Sequence, residues 1–126
     1  MGHKILLITT DQQRFDALGC NGGRFAKTPN LDGLAAAGIN FSQARNQSTV
    51  CMPARSTILT GQSIRRHGVT SNGIQLPPEE NSLAHVLQDG GYKTALIGKA
   101  HLDPHAGKIF FENTAATNET TGPYRG

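Results

Sequence analysis

Apolar residues in this chain come in short, separated runs, and the spacing inside each run is the first guide to its structure. Residues 4–10 carry Ile5, Leu6, Leu7 and Ile8 without a polar break and stop at Asp11. That is the length and pattern of a strand buried on both faces. Residues 30–37 predict a short helix: Pro29 favours its start, Leu31 and Leu34 share a face, and Gly38 stops it. Residues 39–44 read as a second strand or an extended connection. Residues 53–60 predict a helix with Pro53 in its first turn and Gly61 after its last residue. Residues 82–88 predict another, opened by Asn81 or Ser82 and closed by Gly90 and Gly91. Residues 93–98 form a last apolar run of strand length.

Strands separated by helices, with Gly-rich joints, predict an α/β protein with a mainly parallel sheet. In such sheets ligands bind beyond the carboxyl ends of the strands. That rule selects Asp11 after the first strand and residues 99–101 after the later one. The segment 103–126 is polar and irregular, and no internal repeat is present. Two or three strands are fewer than a doubly wound sheet usually contains, so the expectation for residues 1–126 is an incomplete domain with an irregular, poorly ordered tail over 103–126.

Composition narrows the function classes. At 126 residues, 37% hydrophobic and 17% charged, the chain has the make-up of a globular domain. A net charge of +3 suits a small anionic substrate. Arg65, Arg66 and His67 are the only local basic knot and read as a solvated turn, so no nucleic-acid partner is expected. No run approaches the roughly 20 apolar residues of a membrane span, and the first residues lack the pattern of a signal peptide. The expected compartment is therefore the cytoplasm, with no membrane partner; the oligomeric state is open. Cys20 and Cys51 are too few for a disulfide framework and have no CxxC spacing. The sequons at Asn46 and Asn118 carry no weight without a secretion signal.

The stretch richest in chemistry is Cys51-Met52-Pro53-Ala54-Arg55-Ser56-Thr57-Ile58-Leu59-Thr60-Gly61. Its cysteine is placed just ahead of a Pro-started helix, where unpaired amides and the helix dipole favour negative charge. Arg55, four residues on, returns to the same side. Such a setting stabilises a thiolate and would hold an anionic oxygen. The plain alternative is a structural cysteine beside a surface arginine, and for an isolated Cys-x-Pro-x-Arg that alternative would prevail.

The stretch is not isolated. Cys-x-Pro-x-Arg followed by Ser-x-x-x-Thr-Gly resembles the modification signature of the formylglycine-dependent sulfatase family. Ile5 to Gln12 is similar to that family's opening strand and first metal ligand, and Thr28-Pro29-Asn30-Leu31-Asp32 to its Thr-Pro-Asn-Leu-Asp helix start. Gly98-Lys99-Ala100-His101-Leu102 is similar to its Gly-Lys-x-His-Leu block, and Gly122-Pro123-Tyr124 to a later landmark. Five blocks stand in the family's order.

The resemblance implies an alkaline-phosphatase-like three-layer α/β sandwich, of which this chain would be the N-terminal portion. It further implies that a formylglycine-generating enzyme converts Cys51 into an aldehyde, whose hydrate attacks the sulfur of a sulfate ester by covalent catalysis. A divalent cation, Ca2+ first with Mg2+ or Mn2+ possible, would be held by Asp11 and the modified Cys51. Arg55 would offset the nucleophile's charge. Lys99 and His101, two apart at a strand end, would both face the sulfate. Lys99 would bind its oxygens, and His101 would position the nucleophile or move its proton. Asn72 is either a turn residue of an Asn-Gly pair or a substrate contact. His67 is expected to pack or cap. His3, His85 and His105 carry no site argument, and Cys20 reads as an inert thiol.

Gln12 stands where many members have a second Asp, which is similar to the Asp-Gln branch of choline-sulfatase-like and phosphonate monoester hydrolase-like enzymes. The phosphonate type often lacks the Lys-x-His pair, so Lys99 and His101 favour sulfate. Members of the family run to several hundred residues and draw further ligands from downstream. On that basis a truncated chain without useful turnover is expected. The rival readings are a phosphonate or phosphate monoester hydrolase, a non-catalytic remnant that serves as a binding module, and plain thiolate chemistry at Cys51.

Overall fold

The computed structural model describes residues 2–102 and the backbone of residues 110–112. The chain divides into two compact units, Met1–Arg45 and Asn46–Gly126.

In the first unit, helix α1 (Pro29–Ala37) starts with proline in its first turn, as the sequence predicts, and follows two short 3-10 turns, Phe15–Ala17 and Gly19–Asn21. A polar latch ties the second turn to α1. Asp32 accepts hydrogen bonds from the Cys20 amide (2.7 Å) and the Thr28 hydroxyl (2.9 Å), while Thr28 Oγ1 accepts from the Gly19 amide (2.8 Å). The approach is close enough that a Cβ on Gly19 would come within 2.5 Å of the Asp32 carboxylate, so only glycine fits without displacing it. The Thr-Pro-Asn-Leu-Asp motif is thus a latch between a turn and the helix it opens.

The strand expected over residues 4–10 does not form. Those residues have no ladder among the described residues, and Leu6 and Ile8 are 83% and 74% exposed. A strand apolar on both faces needs a neighbour on each edge and a layer on each face, and the first unit supplies neither. Residues 39–44 likewise form no strand.

The second unit is built on helix α2 (Cys51–Thr60), followed by the short helix α3 (Ile64–His67), helix α4 (Leu83–Asp89) and strands β1 (Leu96–Gly98) and β2 (Phe110–Glu112). Helix α2 begins two residues earlier than the proline predicts. Proline at the third helical position loses no intrahelical bond, because that amide would be unpaired anyway. Helix α4 opens on Ser82, whose hydroxyl accepts from the His85 amide (3.4 Å), while His85 Nδ1 accepts from the Ser82 amide (3.1 Å). This reciprocal pair has a histidine in the place usually held by Glu or Gln.

Met52, Val69, Leu76 and Leu102 form the core, with Leu59 and Ala100 packed against it. Burying side chains of this size is worth about 2 kcal/mol each. A backbone bond from the Leu76 amide to the Leu102 carbonyl (3.1 Å) crosses it.

Residues 93–98 yield only the three-residue β1, which pairs antiparallel with β2, Leu96 opposite Glu112. The two-stranded antiparallel ladder is the sheet among the described residues; the mainly parallel sheet is not formed within them. Of the tail expected to be irregular, residues 110–112 are a strand, and the rest of 103–126 lies outside the described residues, as do His105, Asn118 and the Gly122-Pro123-Tyr124 landmark. No helix among the described residues is long and apolar enough to cross a membrane.

Candidate active site

Cys51 is the first residue of α2 rather than the residue ahead of it, and its free thiol is half-buried. The N-cap, Val50, has no side chain that can accept a hydrogen bond, so the cap is supplied from a distant loop. Asn72 Oδ1 accepts from the Met52 amide (3.0 Å) and from the Cys51 thiol (3.4 Å). One carbonyl oxygen thus satisfies the amide at the second helical position and orients the side chain at the first. The loop is closed from its other side by the Gly73 amide, which donates to Met52 Sδ (3.2 Å).

This alters the expectation of open amides at the helix start. The Met52 amide is taken by Asn72, Pro53 has none, and the Ala54 amide bonds to the Val50 carbonyl (3.1 Å). Residues 52–54 therefore offer no amide to an anion at this helix end.

Arg55 lies one turn after Cys51, and its Nη1 donates to the Lys99 backbone carbonyl at 2.8 Å. The guanidinium thereby ties the residue after β1 to helix α2. Lys99 is exposed and His101 half-buried. The strand alternation invoked for their shared facing does not reach these residues. β1 stops at Gly98, and His101 adopts φ +52°, the left-handed region. For a residue with a Cβ that conformation costs about 1–2 kcal/mol, and such residues cluster at functional sites. Gln12, next to Asp11, has the same φ of +52°. Cys51, Asn72, Arg55 and the backbone of Lys99 come together in the second unit. Asp11 belongs to the first unit and is exposed.

His67 packs, as the sequence predicts, but with partners the sequence does not name. It ends α3, is 1% exposed, and is not part of a solvated turn, although its neighbours Arg65 and Arg66 are exposed. The Val69 amide donates to its Nδ1 (3.1 Å), so that nitrogen is bare, and the proton on Nε2 points at Thr57 Oγ1 on α2 (3.0 Å). Gly68, at φ +75°, reverses the chain so that Val69 can return to the ring. Burial pushes the His67 pKa below its ordinary range, against the pull of the nearby Glu80 carboxylate and of a backbone hydrogen bond. Burial and the Val69 amide at Nδ1 both favour the neutral imidazole. Thr57 and His67 sit on different helices, so no periodicity within one element points to their pairing.

The Sulfatase family model matches residues 3–125. An ulvan-active sulfatase from Formosa agariphila is 44% identical over 101 residues, which cover 80% of this chain and 20% of that protein. Among solved structures, sulfatase YidJ from Bacteroides fragilis superposes with a TM-score of 0.71 at 39% identity, over 79% of this chain and 23% of the other. The phosphonate monoester hydrolase of Agrobacterium radiobacter gives the same TM-score at 34% identity, over 79% and 20%. The chain thus spans about a fifth of the length of the curated relatives it matches. The likeness establishes the alkaline-phosphatase-like α/β fold class, of which these residues form a portion. With its Cys51 to Gly61 motif at the start of α2 and a family match along nearly its whole length, the chain belongs to the sulfatase family.

Proposed function

We propose that this chain forms part of a sulfuric ester hydrolase whose nucleophile derives from Cys51, converted to formylglycine by a formylglycine-generating enzyme. The observation that carries the reading is the placement of Cys51: first residue of α2, half-buried, its side chain held by Asn72 with Arg55 one turn on. A hydrated aldehyde at this position supplies an oxygen nucleophile towards a small anionic sulfate ester. Asn72 Oδ1, which accepts from the thiol, would accept equally from a hydroxyl on the same Cβ and so orient it. Arg55 places a permanent positive charge beside the first turn of α2 and offsets negative charge there. Lys99 binds sulfate oxygens, and His101 positions the nucleophile or moves its proton.

The family implies a divalent cation, calcium first and magnesium or manganese as alternatives. Among the described residues no three His, Cys, Asp or Glu side chains come together to hold one. A calcium ion takes about six to eight oxygens, so Asp11 and the modified Cys51 are proposed as two contributions to a site that needs more. Turnover is accordingly proposed for a domain of the relatives' length, not for these 126 residues alone.

The test is peptide mass spectrometry after co-expression with a formylglycine-generating enzyme. Conversion predicts a loss of about 18 Da on the peptide carrying Cys51. An intact thiol, under conditions that convert a control sulfatase, would remove the reading. Phosphonate or phosphate monoester hydrolysis is the second reading, favoured by the likeness to the Agrobacterium enzyme and by the Asp11-Gln12 pair. Relative rates on aryl sulfates and phosphonate monoesters, measured on a chain of the relatives' length, separate the two.

A further inference from the structure

The chemistry proposed above makes no use of His67, a titratable side chain buried as completely as the core residues around it. A buried polar ring is retained at a cost unless both nitrogens are partnered, and here both are. Nε2 faces Thr57 Oγ1 in the second turn of α2, and Nδ1 receives the Val69 amide. Val69 is fully buried beside Met52, and three residues later the same loop delivers Asn72 to the Met52 amide and the Cys51 thiol. The imidazole therefore bridges the two segments whose register decides where the side chain at position 51 points: the helix that bears it and the loop that caps it.

We infer that His67 is a positioning residue for the nucleophile, holding the Asn72 loop against α2 through the Val69 amide on one ring nitrogen and Thr57 on the other. The inference rests on the reading of Cys51 as nucleophile; its test does not. No other neutral side chain of this size places a donor and an acceptor on opposite edges of one rigid ring. The alternative is that His67 stabilises the second unit as a whole and has no particular hold on the cap.

Alkylation of Cys51, normalised to Cys20, reads the cap, and hydrogen exchange at the Leu76 amide, bonded to the Leu102 carbonyl, reads the second unit as a whole. Cys51 lies under the cap and Cys20 in the first unit. Iodoacetamide alkylation of both is followed by peptide mass spectrometry in the full 126-residue chain at one fixed pH. His67→Ala leaves the Val69 amide and the Thr57 hydroxyl unpartnered, and loss of one hydrogen bond shifts a local opening equilibrium roughly fivefold. The Cys51 rate relative to Cys20 is expected to rise by about that factor, as it does in the benchmark Asn72→Ala. His67→Asn restores an acceptor for an amide two residues on and is expected to bring the ratio back to within about twofold of wild type. Thr57→Val, which keeps volume and removes the hydroxyl, is expected to fall between.

An unchanged ratio in His67→Ala overturns the inference. So does a matching rise in hydrogen exchange at the Leu76 amide, which marks loosening of the whole second unit, or a His67→Asn variant as reactive as His67→Ala. If the alanine variant does not fold, nitrogen NMR of the wild-type imidazole decides: a bare Nδ1 and a protonated Nε2 are required, and the opposite tautomer overturns the inference. Failure of Cys51 to become formylglycine would remove the sulfatase reading and leave every one of these readouts intact.

Discussion

The two units are held together by different physics. In residues 2–45 no side chain is buried; Phe25, Ile39, Phe41 and Leu34 are 104%, 80%, 73% and 68% exposed, and order rests on the hydrogen bonds around Asp32 and Thr28. In the second unit a small apolar core is closed by a buried polar bridge, Thr57–His67–Val69, and the same loop caps helix α2. Hydrogen bonds near water contribute little net stability, because water competes for the same groups, whereas buried ones are costly to break. The first unit is therefore predicted to exchange its amides readily, and the second to protect those around Met52.

The largest expected effect tests the core. Met52→Ala removes a fully buried side chain that also receives the Gly73 amide, and is expected to cost the second unit about 3 kcal/mol, read as a lower urea midpoint. Leu34→Ala in the first unit, at a site already in water, should cost that unit less than about 0.5 kcal/mol. A comparable cost at both positions would erase the distinction drawn between the units.

Asp32→Ala comes next, because it leaves the Cys20 amide and the Thr28 hydroxyl without their acceptor. A loss of about 1.5 kcal/mol is expected, confined to faster hydrogen exchange at Cys20 and its neighbours; faster exchange at Met52 as well would mean that the units open as one.

Acid should act on the second unit through His67. Its pKa is lowered on folding, so the unfolded chain binds more protons as the pH falls below the ordinary value of 6.5. Stability from this group is complete above that value and declines as the pH falls from there towards the lower folded pKa, by at most about 1.4 kcal/mol per pH unit. Urea midpoints across this range should fall less steeply in His67→Gln; equal slopes would show that the imidazole is not the group responsible.

The smallest effect is expected from Asn72→Ala, about 1 kcal/mol for a lost helix cap, visible as reduced protection of the Met52 amide alone.

The helices were the most legible elements. Pro29, the Ser82 and Gly90 punctuation, and Pro53 with Gly61 locate α1, α4 and α2 to within two residues, because caps and breakers act through bonds between near neighbours. The cluster of Cys51 with Arg55 was equally open to reading, being one helical turn long. Illegible were the features with partners far along the chain. A strand's existence depends on its ladder, so residues 4–10 carry the strand pattern without the pairing, and β1 keeps three of six expected residues.

From the order of its motifs the sequence alone determined the family, the fold class and the identity of the residue proposed to be modified, since each is written in contiguous stretches. Tertiary structure decided that Asn72 caps Cys51, that Arg55 holds the Lys99 carbonyl and that His67 bridges α2 to the capping loop. Those contacts join residues 10 to 44 positions apart. No local periodicity encodes them; they form only once the core around Met52 and Val69 has brought the segments together.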